Sequence, residues 1–353
     1  MILIIFALGI VVWGGFTIIA YEKNVNQRFE SYPPLMLQVE DFAGLNRTRY
    51  VFTSNKGQKL IGYMYSFGEN PKGIVVIAHG FGGGGHNSYM DCANYFAQHG
   101  YAVFAYDATG NDESEGKGVG GIPQGVVDLN HVISFIEEDD RFPDLPIFLF
   151  GHSWGAYSVC SVLQLHPEVK AVIACSGCNR ASDVFEVGAK MELGNFAYTM
   201  TPFVRLYEQI KYGEYASLTA MDGFEASQAA VMIVHSTDDT TVPPSYGYDQ
   251  YYEKYKDDPR FIFTSLQDRG HDVMYDSRNT YKEEFNKGFD QWLKTLAYDH
   301  KAKGNQERFA ADKAAYINSY LDRQKWSDRL DKDLFQEFVN FYDQYAAATL
   351  QLP

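Results

Sequence analysis

Short apolar runs alternate with amphipathic stretches through most of this sequence, and that alternation constrains its fold more than any other feature. "GIVVIAHG", "AVFAYDATG", "IFLFGHS", "AVIACSG", "AVMIVHS" and "FIFTSL" are rich in β-branched and aromatic residues. Near-continuous apolar runs of this length mean burial on both faces, which parallel strands inside a sheet require. Between them lie helical patterns such as "NSYMDCANYFAQHG", "PQGVVDLNHVISFIEED" and "WGAYSVCSVLQLH". The alternation predicts an α/β fold: a mostly parallel, doubly wound sheet with right-handed crossovers, its ligands held beyond the carboxyl ends of the strands. Ahead of it, "YVFTS" and "KLIGYMYSF" flank the turn "NKGQ" and read as an antiparallel hairpin.

Two regions break the pattern. Residues 178–225 separate two strands and are dense in Met and aromatics, which predicts a helical cap over the ligand edge of the sheet. Phe185, Met191, Phe196 and Phe203 are its candidate substrate-binding residues. Residues 299–353 are charged and helical, with apolar residues such as Leu330, Leu334, Phe338 and Phe341 at helical spacing. They read as helices docked on the sheet or on a partner, without chemistry. The expected organisation is an apolar segment at 1–21, a linker and domain start at 22–47, an α/β domain at 48–298 and a C-terminal helical extension at 299–353.

The strand "IFLF" runs into Gly151-His152-Ser153-Trp154-Gly155 and then a helix. This is a G-x-S-x-G turn, so tight that side chains two residues either side of Ser153 would collide, hence Gly151 and Gly155. The strain lifts the serine hydroxyl to a helix N-terminus, where developing negative charge is favoured. A nucleophilic serine needs a base, and the base needs an orienting acid. "STDDTTVPPS" offers Asp238 and Asp239 after one strand, and "QDRGHD" offers His271 after the last. The order serine, acid, histidine fits. Upstream, the glycine loop of "HGFGGGGH" lacks the lysine of a phosphate-binding loop. It suits an oxyanion hole built from the N–H groups of Phe81 and Trp154.

These pieces resemble the α/β-hydrolase superfamily, and within it the monoacylglycerol-lipase and serine-aminopeptidase-like branch. The matching motifs are "HGFGGG", "DATGNDESEG", "GHSWG", "STDDTTVP" and "RGHD", spread over roughly residues 48–298. The resemblance implies a Ser153–His271–Asp239 triad, because in that family the acid stands four residues before the proline of D-x-x-V-P. It implies an ester-cleaving serine hydrolase acting through an acyl-enzyme on a small acyl ester, with no metal and no organic cofactor. Thioesterase, amidase or aminopeptidase chemistry on the same fold is the alternative, and a non-catalytic binding protein a further one. The sequence departs from the family at Gly110-Asn111-Asp112, where G-H-G is common, and in its terminal segments.

"MILIIFALGIVVWGGFTIIAY" carries no charge, and about twenty helical residues at roughly 1.5 Å each reach close to the thickness of a bilayer's hydrocarbon core. It reads as a membrane anchor, with a cleaved signal or a buried helix as the alternatives. Lys23 and Arg28 follow it and nothing basic precedes it, which leans toward a cytoplasmic domain. Thirty basic against forty-five acidic residues, a net charge of -15, gives nucleic acid no electrostatic encouragement. Highly anionic substrates are disfavoured too, unless a local pocket defies the global sign. Cys175 and Cys178 form a C-x-x-C at a strand end with no second cysteine pair nearby, which fits small packing residues better than a redox or metal site.

Overall fold

The computed structural model describes residues 2–349, and its centre is an eight-stranded sheet. The strands are β1 Asn46–Thr53, β2 Lys59–Ser66, β3 Ile74–Ala78, β4 Ala102–Asp107, β5 Ile147–His152, β6 Ala171–Cys175, β7 Ala230–Ser236 and β8 Phe261–Leu266. Their order across the sheet is β1-β2-β4-β3-β5-β6-β7-β8. β1–β2 and β2–β4 pair antiparallel, and every later pair is parallel. The reversal of strand order around β3 and β5 opens a crevice at their carboxyl ends, where Ala78 stands opposite Gly151.

Period-two alternation divides the core into two layers. Ile74, Val76 and Ala78 point to one face with Phe104, Leu149 and Val172, under the helices Gln124–Glu138 and Trp154–Ser161. Val75 and Ile77 point to the other with Val103, Phe150 and Met232. That second face is covered by the helix Met90–Gln98 and by the C-terminal helix Lys332–Thr349. Phe335, Phe338 and Tyr342 recur at helical spacing and are fully buried there. The Tyr342 hydroxyl donates to the Leu149 carbonyl at 2.7 Å. The charged C-terminal sequence therefore closes one side of the sheet.

Between β6 and β7 stand the cap helices Ala181–Leu193 and Thr201–Tyr212. The N-terminal helix Ile2–Val25 lies against them. Its Gly14 has no room for a side chain, since a Cβ would sit 2.8 Å from the Phe203 ring. Trp13 Nε1 donates to Thr199 Oγ1 at 3.0 Å, and the Tyr207 hydroxyl and Lys211 Nζ both donate to Glu22 Oε1 at 2.7 Å. Residues 26–45 then lead to β1, burying Leu37, Phe42 and Leu45. All four cysteines are buried free thiols, Cys175 and Cys178 included.

Candidate active site

β5 ends in a serine held in a conformation that L-residues rarely adopt: Ser153 has φ 56° and ψ -116°. Such strain costs on the order of 1–3 kcal/mol and persists only where the surroundings impose it. Here they do. A Cβ on Gly155 would lie 2.0 Å from the Ala78 carbonyl oxygen, and one on Gly151 2.4 Å from the Gly155 oxygen. The two glycines thus admit β5 and its helix against the end of β3 as well as against each other. Ser153 N–H donates to the Cys175 carbonyl at 2.8 Å, pinning the turn to β6.

The two neighbouring aspartates go to different partners. Asp239 is buried, and its Oδ2 accepts from His271 Nδ1 at 2.8 Å. Its Oδ1 accepts the backbone N–H groups of Thr241 at 2.8 Å and Val242 at 2.9 Å. Burial by itself pushes this carboxyl up, but the His235 and His271 contacts and the Val242 N–H outweigh burial and hold it well below the usual range. An ionised Asp239 accepts the His271 Nδ1–H, which turns Nε2 away from the acid. Asp238 faces the other way. It accepts from the Ser236 hydroxyl and, at 3.2 Å, from Gly270 N–H, so it shapes the loop that carries His271.

His152, the residue before the serine, holds the histidine loop in place. Its Nε2 donates to the His271 carbonyl at 3.0 Å, and its Nδ1 accepts from the Tyr89 hydroxyl at 2.9 Å. Tyr89 in turn accepts from Gly80 N–H at 2.9 Å, so one chain of hydrogen bonds links the glycine loop to His271. Burial, with help from the nearby His271 charge, pushes His152 down to about 4. It stays neutral and acts as a fixed donor. The Ser176 hydroxyl also donates to the His271 carbonyl, at 2.9 Å.

The glycine loop is tied to the N-terminal segment through the departure noted in the sequence. Asp112, at φ 36°, accepts from Gly85 N–H and from the Ser31 hydroxyl, each at 2.7 Å. Phe81 stands edge-on to Trp154 with ring centroids 5.7 Å apart. Trp154 opens its helix, so its N–H lies outside the intrahelical ladder.

Ser153, His271 and Phe81 share one cavity of about 440 Å³. None of the four cap candidates is on its wall. Phe185 is buried against Tyr21, with centroids 5.6 Å apart. Phe203 meets Gly14 of the N-terminal helix. Met191 and Phe196 point outward, 61% and 68% exposed. The cap turns its apolar side chains to the N-terminal helix and to the outside. The cavity wall comes instead from Tyr32, Leu35 and Met36 ahead of the sheet and from Trp326 and Arg329 behind it. The run "SYPPLML" is the one apolar hint of the first group, and a local pattern could not place the second.

Residues 69–206 match the family described as serine aminopeptidase, S33. The chain is 27% identical to the monoacylglycerol lipase of Mycolicibacterium smegmatis over 133 residues, 37% of this chain and 46% of that protein. It is 31% identical to the monoglyceride lipase of Rattus norvegicus over 124 residues, 34% of this chain and 40% of that protein. The chain thus spans less than half the length of these curated relatives. Among solved structures, an esterase of Pyrococcus furiosus superposes with a TM-score of 0.55 at 16% identity, covering 78% of this chain and 98% of that one. Est1E of Butyrivibrio proteoclasticus, bound to ferulic acid, superposes with a TM-score of 0.50 at 19% identity, covering 70% of this chain and 100% of that one.

Proposed function

We propose that this chain, which has the α/β-hydrolase fold and is similar to the serine aminopeptidases and monoacylglycerol lipases, cleaves carboxylic esters through an acyl-enzyme on Ser153. The observation that carries the reading is the His271 Nδ1–Asp239 contact of 2.8 Å beside a cavity shared with the strained Ser153. In this mechanism Ser153 Oγ attacks the acyl carbonyl and His271 Nε2 takes its proton. Asp239 holds the tautomer and stabilises the imidazolium. The N–H groups of Phe81 and Trp154 receive the oxyanion. His271 then protonates the leaving alcohol, and activates a water that releases the acid.

An ester is favoured over a peptide with a free amino terminus because an aminopeptidase needs a carboxylate free to hold the amine. The one carboxylate among the described residues of the cavity wall, Asp272, lies 4.0 Å from Lys282. Glu115, an acid of the loop after β4, is not on that wall and accepts from Lys59 N–H at 2.8 Å. The test is labelling with a fluorophosphonate. Wild type takes the label and Ser153→Ala does not; a folded wild type that stays unlabelled overturns the reading.

The same proposal seats the protein on a membrane by its N-terminal helix, with the α/β domain on the cytoplasmic side. Phe6, Leu8, Ile10, Val11 and Val12 are exposed all round the helix, as lipid would require. From Trp13 onward one side is covered by the cap, whose Met191, Leu193 and Phe196 continue the apolar surface. Glu22, Lys23 and Arg28 follow as the helix ends. The expected result is flotation of the full chain with phosphatidylcholine vesicles, weakened by replacing Met191 and Phe196 together with serine; flotation that ignores both replacements removes the cap from the membrane surface.

A further inference from the structure

The cavity holds a cation that the chemistry above does not use. Arg329 belongs to the C-terminal segment, yet its backbone is laced to the loop that carries His271. Asp276 N–H donates to the Arg329 carbonyl at 3.0 Å, and Asp331 N–H donates to the Met274 carbonyl at 2.9 Å. Tyr275 and Leu330 pair between these bonds as an antiparallel bridge. Arg269 fastens the same two segments, donating to the Tyr275 carbonyl and pairing with the Asp331 carboxylate. Arg329 is therefore placed by the element that places His271.

Its side chain is fixed as well. The guanidinium carbon lies 4.3 Å from the Trp326 ring centroid and 4.8 Å from that of Tyr275. Nε donates to the Trp326 carbonyl at 2.7 Å. Among the described residues the two terminal nitrogens have no hydrogen-bond acceptor, and no carboxylate lies within ion-pair distance. Of the other charged side chains and histidines on the cavity wall, Lys282 and Asp272 face each other at 4.0 Å, and His152 and His271 are engaged as described. Behind the wall, buried Asp91 feels the Arg329 charge without pairing to it. Burial pushes the Asp91 carboxyl up and Arg329 opposes that rise.

We propose that Arg329 is a specificity-determining residue that receives a carboxylate carried by the substrate, so the substrate class is an ester whose acyl or alcohol half ends in a carboxylate. This rests on the ester-hydrolase reading of the same cavity. The free edge of a guanidinium offers two parallel N–H donors that match a carboxylate, and stacking on two rings means little freedom is lost when it binds. Leu35, Met36 and Met274 line the cavity as an apolar path for the chain between the reacting carbonyl and that carboxylate. A wholly apolar ester would press against the cation with nothing to replace its water, which is costly. The local sign of the pocket is thus opposite to that of the chain.

The experiment compares 4-nitrophenyl half-esters of six- to ten-carbon dicarboxylic acids with their methyl-capped neutral counterparts, on the full chain in phosphatidylcholine nanodiscs. Wild type is expected to prefer the half-ester, chiefly through KM. Arg329→Gln is expected to lower the ratio of half-ester to capped-ester kcat/KM about tenfold, and Arg329→Lys to restore part of it. A ratio below one in wild type, or one unmoved by Arg329→Gln, overturns the proposal. So does a preference for a phosphonate-ended ester over the carboxylate. Calorimetric binding of the half-ester to Ser153→Ala separates the two readings. Binding that is lost in Ser153→Ala/Arg329→Gln supports the arginine site even if turnover fails; equal binding to both variants refutes it even if esters are cleaved.

Discussion

Replacing His152 by Gln tests whether the histidine loop is held by a neutral imidazole. Glutamine can donate to the His271 carbonyl and accept from the Tyr89 hydroxyl, the two bonds His152 makes, but it does not titrate. In the folded protein His152 is pushed down to about 4, and in the unfolded chain it returns to about 6.5. Between those values the unfolded state binds a proton that the native state does not, so stability falls as the pH falls. The contribution is fully present above about pH 6.5 and declines until the folded value is reached. Working the two values through proton linkage, the loss between pH 7.5 and pH 5 is about 2 kcal/mol. Urea unfolding of wild type and His152→Gln at several pH values reads it directly. The variant should lose about 2 kcal/mol less than wild type over that range. Equal slopes would mean that His152 is protonated in the native state or plays no part in acid sensitivity, and the account of a fixed neutral donor would fail.

The two aspartates should separate sharply. Asp239→Asn is expected to lower kcat by roughly 10⁴, since the amide cannot hold the Nδ1–H tautomer, while Asp238→Asn should cost under about tenfold; steady-state kinetics on 4-nitrophenyl butanoate reads both, and the reverse order would reassign the acid. Fluorophosphonate labelling of wild type against Ser153→Ala, vesicle flotation of the Met191 and Phe196 replacements, and the half-ester ratio in Arg329→Gln complete the set.

Much of the site was legible because it is local. A G-x-S-x-G turn between an apolar strand and a helix is one continuous stretch, and its glycines are explained by atoms of the turn itself and of β3. The choice of Asp239 over Asp238 came from the proline four residues on, not from any property of the two side chains. The structure gives the physical difference: one carboxylate is buried under two backbone N–H groups and a histidine, the other is spent on the Ser236–Gly270 loop. The cap candidates followed from composition. Composition did not reveal that Phe185 and Phe203 would be taken up by contacts with the N-terminal helix.

The sequence by itself determined the strands, the burial of β3 to β7 on both faces and the strained serine, because period-two and period-3.6 patterns and glycine requirements act over a few residues. "FIFTSL", read in the same way, forms the edge strand β8, where only Phe261 is buried because no further strand covers its outer side. Only the tertiary structure decided what surrounds that serine. Tyr32 and Arg329 are nearly three hundred positions apart along the chain, and both stand on the wall of one cavity. They meet there because Arg323 bridges the Asp41 carboxylate at 2.9 Å and because Leu330 pairs with Tyr275 beside His271. Such closures depend on three-dimensional packing of segments whose own sequences carry no signal of each other.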